Sequence, residues 1–256
     1  MSVVPSPGPT TTMNSVLGKA QLIIEAFTVD DESLSLTDLV RRTGVAKASV
    51  HRLAQELLTW GLLERAGTGY RLGLKLFEIG HRVPRQRIVR DAALPYMEDL
   101  LLATRETVHF AIRHGTEVLY LEKIVVHRGL SEQSRVAGRL PMYCTATGKM
   151  LLAHAPDELF TQVVSRGLRP LTRHTITAPA VLRGQLEKIR DRGVATEWEE
   201  TRLGYASTAV PVPDVDGVPI GALSVTAPTA RMNTAQVAGA LRTAANGIAR
   251  TLRATR

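Results

Sequence analysis

The chain has 256 residues, 44% of them hydrophobic and 22% charged, which is enough apolar mass for one large core or two ordinary ones and excludes disorder throughout. Aromatics make up only 4%, so cores must be built from Leu, Val, Ile and Ala. The single cysteine, Cys144, excludes an internal disulfide framework and a multi-cysteine zinc site and fits a reducing compartment. The net charge of +8 is uneven: residues 1 to 40 carry one Lys against five acids, whereas residues 41 to 90 hold eleven Lys or Arg against three acids. Such density fits a polyanionic partner or, equally, a solvated basic face.

The opening MSVVPSPGPTTT, with three prolines and no apolar run of signal length, reads as a disordered leader over 1–13. Val16, Ala20, Ile23, Ile24 and Phe27 share one helical stripe and predict a first helix over about 14–27. The acidic run Asp30-Asp31-Glu32 ends it. Ser35 with Asp38 three residues on resembles a capping box, opening a short helix that buries Leu36, Leu39 and Val40 and closes at Gly44. A third helix follows within three residues, with Val50, Leu53, Ala54, Leu57 and Leu58 at helical spacing and Gly61 as its stop.

Two short helices joined by a glycine-containing turn are the helix-turn-helix arrangement, whose second helix enters the DNA major groove. With the apolar stripe buried, Lys47, Ala48, Ser49, His51, Arg52 and Gln55 point outward. Small residues allow close approach to the groove floor, Lys and Arg suit guanine edges or phosphates, and a serine hydroxyl can bond a phosphate. The next stretch, LLERAGTGYRLGLKL, predicts a hairpin that enters at Leu62-Leu63, turns at Gly67-Thr68-Gly69 and returns at Tyr70-Arg71-Leu72. It reads as a wing with Arg65 and Arg71 flanking the tip, or as a plain solvated hairpin. The DNA-binding candidates are therefore Lys47, Ala48, Ser49, His51, Arg52, Arg65 and Arg71, in a domain spanning 14–75.

Residues 76–104 read as linker helices, the second running from about Arg85 to Thr104 with Ile88, Ala92, Pro95, Met97, Leu100 and Leu101 as its apolar positions. Arg82, Arg85, Arg87 and Arg90 make the join basic. Beyond it, Val108, Phe110 and Ile112 alternate with polar residues, His114-Gly115 turns, and Val118 to Val126 forms a second strand. A helix begins near Thr145, another runs from Pro179 to Gly193, and strands fall at about 194–199, 207–213 and 218–226, the last two joined by Asp216-Gly217. A closing helix from Asn233 carries Val237, Leu241, Ala245, Ile248 and Leu252. Mixed order with hairpin-length turns predicts an α+β domain over 105–256, an antiparallel sheet covered by helices.

Four segments together resemble the IclR-type regulators: TGVAKASVHRLAQELLTWGLLE, GYRLG at 69–73, RLPMYCTATGKMLLA at 139–153 and EETRLGYASTAVPV at 199–212. The similarity runs from about Ser15 to Leu252. It implies a winged helix, a linker helix and a GAF-like or PAS-like effector-binding and oligomerisation domain. It also implies palindromic double-stranded operators bound by homodimers or dimers of dimers, in the cytoplasm, with no cofactor. The effector it implies is a small molecule, an organic or aromatic acid, held between the GK segment and the late strands. Carried over by position, Ala146 and Thr147 offer backbone amides at a helix N-terminus, where orphan N–H groups favour a carboxylate. Glu197, Ser207, Ser224 and Thr226 supply polar contacts. That Ser224 and Thr226 share a face follows from strand geometry alone. Cys144 is a further candidate for the lining, or a small buried hydrophobe.

An enzyme with an attached DNA-binding module is the alternative reading, and a nonspecific architectural DNA binder a weaker third. ATGKM lacks the first glycine and the final hydroxyl of a phosphate loop, having Tyr143 and Met150 instead. The seven histidines form no compact ligand pair, no G-x-S-x-G elbow is present, and Glu199 and Glu200, if on a strand, point to opposite faces. No apolar run approaches the 18 residues of a membrane-spanning helix.

Overall fold

A computed structural model describes residues 15–125 and 135–254; the expected leader, and Val126 at the end of a predicted strand, lie outside them. The chain divides into two compact units, Met1–Pro84 and Arg85–Arg256.

The first unit opens with α1 (Val16–Glu25), capped by the Ser15 hydroxyl, which accepts the Gly18 amide at 2.9 Å. The helix is shorter than its apolar stripe suggested, since Ala26 is its C-cap and Phe27 lies beyond. α2 (Leu36–Thr43) starts at a complete capping box: Ser35 Oγ accepts the Asp38 amide at 3.1 Å, and the Asp38 carboxylate accepts the Ser35 amide at 3.3 Å. Gly44, at φ 66°, ends it in a left-handed conformation that costs glycine little. α3 (Lys47–Thr59) then buries Val50, Leu53, Ala54 and Leu57 against Ile23, Leu39, Leu63 and Tyr70. β1 (Leu63–Ala66) and β2 (Gly69–Leu72) pair antiparallel, with Leu63 opposite Leu72 and Ala66 opposite Gly69. Gly69 is thus the first residue of the returning strand and not part of the turn. A Cβ there would stand 2.7 Å from the Leu34 carbonyl oxygen, because Leu34 and Tyr70 exchange backbone hydrogen bonds of 2.8 and 2.9 Å. That bridge ties the hairpin to the segment before α2. α4 (Leu74–Gly80) completes the unit and buries none of its own residues.

The second unit is built on α5 (Pro84–Thr104), β3 (Thr107–His114), β4 (Glu117–Ile124), β5 (Arg139–Pro141), α6 (Ala146–Ala153), α7 (Asp157–Ser165), α8 (Pro179–Arg192), β6 (Ala195–Trp198), β7 (Tyr205–Pro213), β8 (Pro219–Pro228) and α9 (Thr234–Ala254). Its strands form one six-stranded antiparallel sheet in the order β5-β4-β3-β8-β7-β6. Both faces are covered. Val108, Phe110, Val210, Leu223 and Val225 pack with Met97, Leu241 and Ile248 of α5 and α9. Ala111, Tyr120, Ala209 and Ala222 pack with Met150, Leu159 and Leu186 of α6, α7 and α8. The α+β class, with an antiparallel sheet under helices, is the one observed.

Three local expectations are corrected. In α5 the buried residues are Val89, Ala92, Ala93, Met97 and Leu100, so the expected Ala92, Met97 and Leu100 hold, while Ile88 and Pro95 face solvent and the stripe starts one residue later, at Val89. β3 does not alternate between core and solvent: Thr107 to Ala111 are all buried, since helices cover both faces of the sheet. β6 ends at Trp198, so Glu199 and Glu200 lie on no strand; Glu199 is left-handed at φ 58° and reverses the chain. The short edge strand β5 and helix α7 had no counterpart in the sequence reading.

Candidate functional site

In the first unit, α3 presents Lys47, Ala48, His51 and Arg52 exposed and Ser49 partly so. Its N-cap, Ala46, makes no side-chain bond, in contrast to the capping box of α2. The first amides of α3 therefore have no capping side chain, and they sit at the positive end of the helix dipole, which suits a phosphate. Gln55 was expected to point outward, but it is half-buried and its amide nitrogen lies inside with no partner among the described residues. The three arginines make internal contacts. Arg52 pairs with Glu56 one turn on, Arg71 donates to Glu64 at 2.8 and 3.0 Å, and the Arg65 guanidinium lies 4.7 Å from the Tyr70 ring centre. Exposed pairs of this kind are worth about 0–1 kcal/mol, so transfer of an arginine to a phosphate or base edge costs little.

The second unit contains a cavity between the N-terminus of α6 and the sheet. Ala146, Thr147, Glu197, Ser207, Ser224 and Thr226 all line it. Thr145 is the N-cap of α6, its hydroxyl accepting the Gly148 amide at 3.1 Å. The Ala146 and Thr147 amides, first in the helix, have no intrahelical acceptor, and both residues line the cavity. Strand register sets the opposite wall. Thr107, Thr226, Ser207 and Glu197 are successive partners across β3, β8, β7 and β6. Ser207 donates to Glu197 at 2.7 Å and lies 2.9 Å from the Thr226 hydroxyl. The next row holds His109 and Ser224.

The bulge between Phe110 and Ala111 aligns Tyr120 with Ala111 but Glu122 with Phe110. Tyr120 consequently faces the cavity, 3.4 Å from the Thr147 hydroxyl, whereas Glu122 turns to α5 and accepts a 2.7 Å bond from Arg90.

Burial governs the electrostatics. It pushes the Glu197 carboxyl up to about 7, against the hydrogen bonds from Ser207 and the Glu200 amide, with the nearby Glu200 adding to the rise. Burial, assisted by Lys123, brings His109 down to about 3, so its ring is neutral at pH 7. Glu200 is also raised by burial, partly offset by Lys149, whose ammonium is completely buried and bonded both to Glu200 and to Gln185. This pair fastens α6 to the loop at 199–204, which brings Thr201 and Arg202 to the cavity. Cys144 is not among the lining residues; it lies in the core beside Met142 and Met150, and burial pushes its thiol up to about 12.

Residues 16–67 match the IclR helix-turn-helix domain, and residues 81–250 match the C-terminal domain of bacterial IclR transcriptional regulators. The chain belongs to the IclR family. Among its relatives, the HTH-type transcriptional regulator XynR of Escherichia coli is 31% identical over 223 residues, covering 86% of this chain and 88% of that protein. The E. coli regulator KdgR is 33% identical over 208 residues, 80% and 79% of the two chains. An IclR homologue from Microbacterium hydrocarbonoxydans, solved in complex with 4-hydroxybenzoate, superposes with a TM-score of 0.88 at 34% identity over 94% of this chain and 100% of that one. This IclR-family chain is a DNA-binding transcription regulator.

Sequence reasoning missed Thr107, His109, Tyr120, Thr201, Arg202 and Tyr205 in the cavity. For Thr107 and His109 the signal was present, because they alternate with Val108 and Phe110; they were read as the wet face of a half-covered strand. Tyr120 required knowledge of the bulge, which leaves no local mark.

Proposed function

We propose that this regulator binds a palindromic operator sequence-specifically and that a small carboxylic acid in the second-unit cavity sets its affinity for DNA. The observation that carries the reading is the gathering of Ala146, Thr147, Glu197, Ser207, Ser224 and Thr226 around one cavity at a helix N-terminus. Residues from four separate elements converge there, and orphan amides with the helix dipole favour a carboxylate. The Microbacterium relative's 4-hydroxybenzoate supports an organic or aromatic acid of one-ring size. Lys47, Ala48, Ser49, His51 and Arg52 read the major groove, while Arg65 and Arg71 hold the backbone beside it.

Reading both halves of a palindrome takes two winged helices one or more helical turns apart, hence a homodimer or dimer of dimers in the cytoplasm. The effector binds one of two arrangements of these helices more tightly and leaves unchanged; a preference of about 1–3 kcal/mol shifts operator affinity about 5- to 150-fold. Residues 14–75 are the DNA-binding domain, 76–104 the linker and 105–256 the effector and oligomerisation domain in this reading.

The test is a footprint of the purified protein on DNA flanking its own gene and on selected genomic fragments, at fixed salt with excess random competitor. Competitor-resistant protection of inverted repeats, shifted by an acid effector, is expected. Replacing Ser224 and Thr226 with alanine should abolish that shift and leave DNA binding intact; joint loss of both activities in a folded variant overturns the cavity assignment.

A further inference from the structure

Three elements that meet at the cavity described above bound a second cavity at their other ends. The first takes the start of β3, the end of β8 and the N-terminus of α6. The second, of about 290 Å³, is lined by Ile112 and Arg113 late in β3, Pro219 and Ile220 at the start of β8, and Leu151 and His154 at the C-terminal end of α6. The two share no lining residue. Wall and rim differ in chemistry. Val89 of α5 and Leu151 are buried, and Ile112, Leu121 and Ile220 are half-buried, so the wall is aliphatic. At the rim, Arg113 is exposed and is the one lining residue with a fixed charge. No Asp or Glu lines the cavity, and the guanidinium makes no hydrogen bond or ion pair among the described residues. Gln86 of α5 also lines it, half-buried, and its carboxamide has no partner among the described residues. His154 is anchored through Nδ1, which donates to the Met150 carbonyl at 3.0 Å.

We propose that this second cavity binds an amphipathic carboxylate, an acid with one apolar chain whose tail covers the aliphatic wall and whose carboxylate pairs with Arg113. The proposal does not rest on the reading of the first cavity. An apolar enclosure of this size with a few polar groups at its edge is the usual form of a small-molecule site. The planar guanidinium fork matches a carboxylate through two parallel bonds, and the Gln86 carboxamide adds an N–H donor. An uncharged apolar molecule gives Arg113 no counter-charge, and a cation is repelled by it. A short acid reaches the arginine but leaves the aliphatic wall in contact with water.

The test titrates the full-length protein by calorimetry with octanoate below its micellar concentration, with 1-octanol and with butyrate. Octanoate is expected to bind saturably, one per chain, and about 10-fold or more tightly than either control, since 1-octanol lacks the charge and butyrate lacks four methylenes. Arg113→Gln should weaken octanoate about 10-fold or more, whereas Arg113→Lys, which keeps the charge, should stay within a few-fold of wild type. Val218 lines the cavity and is 57% exposed, so Val218→Trp obstructs the mouth without touching the core and should abolish binding. No saturable octanoate binding, equal affinity for octanoate and 1-octanol, or binding that survives both Arg113→Gln and Val218→Trp overturns the proposal. Loss of octanoate in the Ser224→Ala/Thr226→Ala variant but not in Arg113→Gln places the acid in the first cavity and overturns it as well. A changed oligomeric mass of Val218→Trp in sedimentation assigns the second cavity to another copy of the chain, with the same result.

Discussion

Replacing Lys149 with methionine removes the cation from the buried pair that joins α6 to the 199–204 loop. The ammonium is 0% exposed and the Glu200 side chain 6% exposed, so Lys149→Met strands a carboxylate in the interior. One Glu200 oxygen has no hydrogen-bond partner among the described residues, and the residue is held in place by Thr175, whose hydroxyl donates to its backbone carbonyl at 2.6 Å. Breaking such a pair from one side costs about 3–5 kcal/mol, because the remaining charge keeps its desolvation penalty and loses its compensation. The cost carries a pH signature. Burial raises Glu200 above the ordinary 4.5, and removal of Lys149 raises it further, so the folded state holds the proton more tightly than the unfolded chain does. Stability linked to a raised carboxyl is present at low pH and is lost as pH rises above about 4.5 toward the folded value. The deficit of Lys149→Met should accordingly be small at pH 5 and full at pH 8. Urea unfolding, followed by fluorescence in a Trp60→Phe background that leaves Trp198 as the sole tryptophan, reads the second unit specifically. Adding Glu200→Leu should recover at least about half of the loss at pH 8. A deficit below about 1 kcal/mol at pH 8, or one equal at both pH values, refutes the account of a charged pair whose burial dominates.

Glu197 has its own pH dependence. A rise from 4.5 to about 7 corresponds to about 3 kcal/mol, lost from the folded state as pH climbs through that window. Glu197→Gln should flatten this slope and gain on the wild type at pH 8, which thermal melts across pH 5–8 would check; an unchanged slope counts against the assignment. Ser35→Ala removes the hydroxyl that accepts the Asp38 amide and donates to the Asp38 carboxylate, keeps the Ser35 backbone bond to Asp38, and should lower the stability of the first unit by about 1 kcal/mol, measurable by denaturation, while effector affinity stays unchanged. Gly148→Ala drives a Cβ into the Cα and carbonyl of Met142 and the hydroxyl of Thr145. The α6 N-terminus must shift, at about 1–3 kcal/mol or more, and calorimetry should show effector binding lost while footprinting shows the first unit still on DNA.

Much of the first unit was legible because its determinants are local. The capping box at Ser35 and Asp38, the left-handed Gly44 and the stripe of α3 are each decided within a few residues, and each is found where the sequence placed it. The boundary of α1 was less legible, since Phe27 continues the apolar period after the helix has stopped. In the second unit the helices α6, α8 and α9 were announced by Thr145, by Pro179 with Gly193, and by the stripe from Val237. Their place over the sheet was not. Of the cavity, only the common face of Ser224 and Thr226 followed from strand geometry; the other four residues came from the family resemblance.

Tertiary structure alone decided which strands neighbour one another and what covers them. The sequence by itself determined where α2 and α8 begin and end, because capping, N-terminal proline and left-handed glycines act over three or four residues. It could not place Thr107 beside Thr226, 119 positions apart in the numbering yet adjacent in register, nor turn Tyr120 into the cavity through a bulge. Nor could it tell that β3 is covered on both faces, so that His109 and Thr107 are buried. Those outcomes depend on long-range pairing, in which a shift of one residue exchanges the two faces of a strand, and only the packed sheet with its two helical layers selects the register that holds.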